Sequence, residues 1–525
     1  MRSAVKRIFK TAYDVFPIFI RPMAFCAGAC IFGVYFIYRH SNIALSVLLL
    51  FLIIVAVVCA VTRNRKFIVI SVLFLAVCAS AVNEFAVIGD LNKLDGEELE
   101  AKFVAVEDTS HYEKVNRVLV YCYDTPKIPV NTKFNLHYFF EKDIKCGDCF
   151  TARVKLIRLK DNEYKPYNYG NSVYMDCRMY EISDFGEPNK FFKSVGSIRA
   201  IVKNTISNNF SKDDSAVLTA LNTGNKSLLN DNFYDKVLTC GVSHIMVVSG
   251  LHISIIIGAV FFLLEKFLYN RYLKAILSLG LIFMLCAVCG FTLSVLRAGI
   301  MFLFPAISPV FMRRNDPLNS LGSAVVLLLF ISPMCILSVA FWLSVLSTAA
   351  VVWIAPYYFG VLIRVLRLRT AIGKVILANF IVSVSAMVFS APVSLLVFGK
   401  VSLLAPISFV LLTVPVSIAL VFNSLGIAFI AIFGNVAAKY IFLLPTEICA
   451  KYIRLIIGYL GTFKIAYVES NIFSYMVFIL LIIGLIAGMC LSKFYVKLLK
   501  REFVSEVINR ARNNRKCAEN NAVAK

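Results

Sequence analysis

What most constrains this chain is a succession of apolar runs, most of them close to the thickness of a bilayer's hydrocarbon core. A helix needs roughly 20 apolar residues to cross that core. Such runs fall at about 18–38, 43–61 and 67–81. They return at 245–267, 275–290, 292–311, 318–333, 335–357, 376–398, 402–434 and 471–490. The stretch 402–434, one long span or two short ones, holds no charged residue. Hydrophobic residues make up 59% of the 525, against the 45–50% or so usual in soluble domains. The fold class this predicts is a polytopic α-helical membrane protein. Arg2, Arg7 and Lys10 precede the first run as in a secretory leader, but the run is long and a second follows at once, which predicts an uncleaved first span.

The net charge of +23 needs dividing before it is assigned a partner. Between Glu84 and Lys193 there are 19 acidic and 16 basic residues, a net of −3, so the excess lies in the membrane part and its short loops. Positive loops mark the cytoplasmic side, and this accounts for most of the charge without nucleic acid. Arg63, Arg65 and Lys66, with the basic amino terminus, are then inside and the third span exits outward. The later clusters Lys266, Arg271 and Lys274; Arg313 and Arg314; and Arg364, Arg367, Arg369 and Lys374 follow alternate spans and agree. The tail after Leu491 is basic and expected in the cytoplasm. The segment 435–463 carries Lys439, Lys451 and Arg454 on an apolar helical pattern and reads as an interfacial helix.

The polar segment from Glu84 to Ser194 alternates in strand fashion at 102–108, 117–124, 133–140 and 150–159, with turn residues between. This predicts a small exoplasmic β-barrel or sandwich, and an OB-like barrel needs only five strands. Tyr121, Tyr123, Tyr138, Phe139, Phe140, Tyr164, Tyr167 and Tyr169 are candidates for stacking on bases, with core packing as the competing role. Arg153, Lys155, Arg158 and Lys160 form the best basic strand edge for contact with DNA. Cys122, Cys146, Cys149 and Cys177 are an even number in an exoplasmic domain, which predicts one structural disulfide. The expected organisation is three spans over 1–83, the barrel over 84–194, amphipathic linker helices against the membrane surface over 195–240, a second membrane domain over 241–490, and a tail over 491–525.

Two of the chain's five histidines fall in GVSHIMVVSGLHISII, residues 241–256. This window places His244, Ser249, Gly250 and His252 at the mouth of an apolar span, where lipid tolerates no unpaired polar group. Ser249 and His252 are three apart and share a helix face. Arg297 lies within another span, where a charge costs about 2.5 kcal/mol or more and so faces a cavity or a partner. Lining a conduction path and locking the bundle are the two roles open to His252 and Arg297; for Ser249 and Gly250 close packing competes. Hydrolysis by Ser249 and His252 lacks a third, orienting group.

The stretch 218–256 resembles the core motif of the ComEC competence-protein family, in which a leucine-rich helix and a T-G turn lead to G-V-S-H and S-G-L-H. FTLSVLRAGIM (291–301), the helix pair in 315–351, FSAPVSLLVFGK onward (389–417) and KPYNYGNSVYMDCRMYEI (165–182) resemble further family segments. The resemblance implies import of single-stranded DNA through a membrane channel during natural transformation, without reaction chemistry or cofactor. It implies a location in the cytoplasmic membrane and, as partners, single-stranded DNA, the bilayer, an outer DNA receptor and a cytoplasmic motor or single-strand-binding protein. Many family members carry a metallo-β-lactamase-like domain; with the chain ending at Lys525, a truncated form without it is expected, and no metal cluster. A related transporter of another substrate and a degenerate, inactive member are the alternatives.

Overall fold

The computed structural model describes residues 22–39 and 65–492, except 113–114, 126, 130–131, 140–142, 161–163, 225–227, 247–248, 313–314, 434–438 and 464–466. The expected span at 43–61, Phe140, Arg313, Arg314 and the tail from Lys493 lie outside the described residues.

Helix α1 (Pro22–Arg39) packs on α2 (Arg65–Lys93). No proline interrupts α2, and it runs past the end of its apolar span. Ile88 and Leu91, near its carboxy end, are buried in the core of the β domain. The span therefore serves as the stalk of that domain.

The β domain contains β1 (Glu98–Ala105), β2 (Ser110–Tyr112), β3 (Val115–Asp124), β4 (Thr132–Tyr138), β5 (Cys149–Arg158) and β6 (Val173–Phe185). The order is β1-β5-β6-β4-β3, and pairing of β3 with β1 closes a five-stranded barrel; β2 only extends β3. All pairs are antiparallel except β4 with β6. This is the expected OB-like barrel. Alternate residues point inward, and Phe103, Phe134 and Phe150 fill the middle, with Phe103 edge-on to Phe134 at 6.4 Å between ring centres. Short helix α3 (Tyr164–Gly170) bridges β5 and β6. Ser172 and Ser332 hydroxyls bond at 2.7 Å, and Met334, from a 3₁₀ turn of the membrane domain (Pro333–Leu337), is fully buried among the barrel's core residues.

Three linker helices follow: α4 (Lys190–Asn209), α5 (Lys212–Thr223) and α6 (Asp231–Thr239). Arg199 on α4 ties three parts together. Its guanidinium donates to Val106 O of the barrel at 3.2 Å and to Val288 O and Ala287 O, at the end of a membrane helix, at 2.8 and 3.0 Å. A cation suits that carbonyl-rich end. The expectation of linker helices lying on the membrane surface fails for α5: residues 214–221 are all buried. They form one core with α6 and the carboxy-terminal helices.

The membrane helices are α7 (Gly250–Phe267), α8 (Arg271–Val288), α9 (Leu293–Ile307), α10 (Pro317–Ile331), α11 (Val339–Ala349), α12 (Ala355–Val365), α13 (Ala371–Phe398), α14 (Ala405–Phe433), α15 (Leu444–Leu460) and α16 (Ile472–Ser492). A π-helical turn joins α11 to α12. Among the described residues seven helices are long and apolar enough to span: Ile70–Lys93, α7, α8, Val339–Val365, α13, Ala405–Ile430 and α16. The chain is thus a multi-pass membrane protein. Helix α15, expected as an interfacial helix, is not among the helices long and apolar enough to span. It doubles back along α14: Gly426 abuts Leu443 near the turn, while both Ala405 and Ile457 meet the Cys240–Gly241 corner. A two-stranded ribbon of β7 (Lys400–Ser402) and β8 (Tyr467–Glu469) closes the end.

Candidate functional site

The sequence from Gly241 to Ile256 builds a corner and then a helix start. Gly241 ends α6 in a left-handed conformation (φ 68°), with Val242 N–H reaching back to Val237 O at 3.3 Å. Only glycine suits this position twice over, because a Cβ would also press on Ala405 and Ser402. Val242, Ile245 and Met246 then anchor the turn in the core, while His244 is left exposed with its ring stacked on Phe409 at 6.3 Å.

Helix α7 begins at Gly250, with Ser249 at its N-cap. His252 takes the third helical position, and its Nδ1 accepts the Ser249 backbone N–H at 3.4 Å. His252 is 1% exposed. Neither its Nε2 nor the buried Ser249 Oγ has a partner among the described residues. The imidazole therefore engages the serine's backbone rather than its hydroxyl, which is not the contact of a nucleophile with its base.

Arg297, on α9, meets this helix start. It is 7% exposed. Its Nε donates to Ser344 Oγ of α11 at 2.6 Å and its Nη1 to Met301 Sδ at 3.3 Å. Nη2 lies over Gly250, where any Cβ would collide with the guanidinium. The glycine is what allows the cation to reach the helix end. Arg297 is thus level with the start of α7. Among the described residues it has no carboxylate partner. The backbone N–H groups at a helix start already carry partial positive charge. A buried guanidinium against Gly250, beside an imidazole nitrogen and a hydroxyl without partners among the described residues, makes a positive seat with donors and no described anion. Such a set suits a phosphate or carboxylate oxygen. Sequence reasoning missed Ser344 and Met301, although Ser344 and Ser347 stand out as polar positions in an apolar run.

It also missed the partner of Arg454. From α15, that side chain donates through Nη1 to Asp214 Oδ1 at 2.9 Å and pairs through Nη2 with Asp213. Ser211 donates to the other Asp214 oxygen at 2.6 Å and caps α5. Asp214 is 1% exposed.

On the barrel, β5 pairs with both β1 and β6, so Arg153, Lys155, Arg158 and Lys160 do not lie on a free strand edge. Arg153 bonds Glu98 at 3.0 Å, and Arg158 and Lys160 sit at and beyond the strand end. Lys155 instead belongs to a row across four strands: Lys155 on β5 lies opposite Arg178 on β6, which lies opposite His137 on β4, opposite Arg117 on β3. At about 4.8 Å per strand the row spans about 14 Å. Directly opposed like charges destabilise a sheet unless something offsets them. Asp176 does so only in part, 3.8 Å from His137. Arg178 also lies over the rings of Phe139 and Tyr180 at 5.1 and 5.9 Å, and both rings are exposed. Of the other aromatic candidates, Tyr123, Tyr164 and Tyr167 are exposed, Tyr121 is partly so, and Tyr138 and Tyr169 belong to the core.

Cys122, Cys146, Cys149 and Cys177 are all free thiols, which corrects the expected disulfide. Each is buried: Cys177 faces the barrel core, and Cys146 Sγ donates to Val106 O at 3.0 Å. Burial pushes the Cys146 thiol up to about 11 and the other three upward as well. These are packing residues, not reactive ones. Among the described residues no cluster of His, Cys, Asp and Glu has the makings of a metal site.

Comparison with known proteins bears on the same region. A family model described as "Competence protein" matches residues 221–494, just over half of the chain and the whole of the helix start with its arginine. "ComE operon protein 3" of Bacillus subtilis (strain 168) is 24% identical over 226 residues, which is 43% of this chain and 28% of that protein. No solved structure matches the chain.

Proposed function

Because this chain belongs to the Competence protein family, we propose that it forms a membrane path for single-stranded DNA entering the cell in natural transformation. The observation that carries this reading is Arg297: a buried guanidinium aimed, without a carboxylate, at the start of α7. In this reading backbone phosphates pass the seat one at a time. They take hydrogen bonds from Arg297 and from the first N–H groups of α7, with His252 Nε2 and Ser249 Oγ as further partners. The site is a relay for anions and makes or breaks no bond.

The barrel supplies the approach. The Lys155–Arg178–His137–Arg117 row tracks a phosphate backbone while Phe139 and Tyr180 offer ring faces to bases, the combination that binds single strands without sequence preference. Its backbone contacts make the binding weaken as salt rises. The membrane in this reading is the cytoplasmic one, with the barrel outside.

The test is uptake of labelled DNA into the cytoplasm of a transformable host carrying Arg297→Gln in place of the native protein, at matched protein level. A loss of at least about tenfold is expected, since a hydrogen bond to a charged group is worth about 1.5–3 kcal/mol. Uptake equal to the native level overturns the reading.

A further inference from the structure

We propose that an anionic glycerophospholipid of the cytoplasmic leaflet binds in a groove between α13 and α14, with its headgroup on the basic loop that precedes α13. The groove has a volume of about 440 Å³. Leu368, Gly373, Ile376 and Phe380 form one side and Ile407 and Leu411 the other, all without a polar side chain. Around it Ile372, Val375 and Val414 are exposed, so the groove opens toward lipid and not into the bundle. An apolar slot of this kind in a bilayer is filled by an acyl chain.

The charge at its end selects which lipid. Arg364, Arg367, Arg369 and Lys374 are all exposed and surround Leu368 and Gly373 in the chain. From Val351 to Phe398 there is no acidic residue. Among the described residues none of the four cations has an ion-pair partner. Basic pockets between membrane helices on the cytoplasmic side recognise anionic headgroups.

The backbone holds this loop in one arrangement. Helix α12 ends with Leu368 N–H bonded to Ile363 O at 3.3 Å, and Arg367 sits between them at φ 50°. Glycine adopts that left-handed position freely and arginine only at a cost. The same turn sends Leu368 into the groove and leaves Arg367 outside it. One tight turn thus presents an apolar contact and a cation side by side, as a lipid presents its chain and its phosphate.

The test is native mass spectrometry of the full-length protein, delipidated in detergent and titrated with phosphatidylglycerol or phosphatidylcholine. Phosphatidylglycerol should be retained at least about tenfold better, since each Lys or Arg near a membrane surface adds about a fivefold preference for anionic lipid. Excess inorganic phosphate should not displace it, because phosphate lacks the chain. Arg367→Gln/Arg369→Gln/Lys374→Gln should abolish the preference, and the matching Arg→Lys variants should keep it. Ile407→Trp, which fills the groove, should abolish retention with every cation in place. Lys266→Gln/Lys274→Gln, in a basic loop that does not line this groove, should change nothing. Equal retention of the two lipids, displacement by phosphate, preference surviving the triple variant, loss in the Arg→Lys or Lys266/Lys274 controls, or full retention by Ile407→Trp would each overturn the proposal.

Discussion

Two helix starts in this molecule are each met by an arginine from a distant helix, and they are completed in opposite ways. At α5 the positive helix end is offset by Asp213 and Asp214, and Arg454 closes on both carboxylates. Both carboxylates there meet a cation of the chain. At α7 the corresponding second and third positions hold Leu251 and His252, and among the described residues Arg297 meets no acid. Both have a helix end and a guanidinium, half-buried for Arg454 and buried for Arg297, but at α7 no described residue supplies the anions. The first arrangement is a finished clamp. The second, in the proposed function, is completed by an anion from outside the chain.

The difference can be broken by substitution, with unfolding in detergent as the common measure. Arg454→Ala has the largest expected effect, about 3 kcal/mol, because it leaves Asp214 buried without its cation. Unchanged stability would refute the clamp. Gly250→Ala comes next, at about 1–3 kcal/mol, since the new methyl must displace the guanidinium or the helix. It should also lower DNA uptake. A silent Gly250→Ala would show that Arg297 does not need the close approach. Ser344→Ala should cost about 1 kcal/mol by removing the acceptor of Nε. Arg297→Gln should have the smallest effect on stability, within about 1 kcal/mol or even favourable, because it removes a buried cation that no carboxylate among the described residues balances. In uptake the order reverses, and Arg297→Gln should be the most severe. Arg297→Lys should recover part of the uptake, as a point charge without the planar fork. If Arg297→Gln instead unfolds the protein as Arg454→Ala does, the two starts are alike and the contrast is void.

Much of this was legible in the sequence, to the extent that it depends on local pattern. Apolar runs showed the spans, and alternation showed the barrel strands. The window 241–256 showed where polar groups enter an apolar run, and Arg297 stood out as a charge in a span. What eluded the sequence depends on distant partners. The start of α5 reads as a surface because Lys212, Asp213 and Asp214 are charged, yet Asp214 is buried because a residue 240 positions away neutralises it. Lys155, Arg178, His137 and Arg117 are scattered along the chain, and only strand register puts them in one row. The ribbon of β7 and β8 joins strands of three residues each, too short to carry a period. The stacking candidates divided between surface and core for the same reason. An aromatic residue in a strand is seen at once, but which way it points depends on the register of its neighbours.

The burial of Met334 limits the route that any polymer can take. A thioether from the membrane domain sits among the barrel's own core residues, beside Ile88 and Leu91 of the stalk. Both ends of that contact are hydrophobic and packed, so the barrel has no bore to thread. In the proposed path a strand heading for Arg297 travels along the barrel's outer wall and not through it. On that proposal the barrel is a quay rather than a pipe, and traffic along it would respond to whatever docks on that same wall.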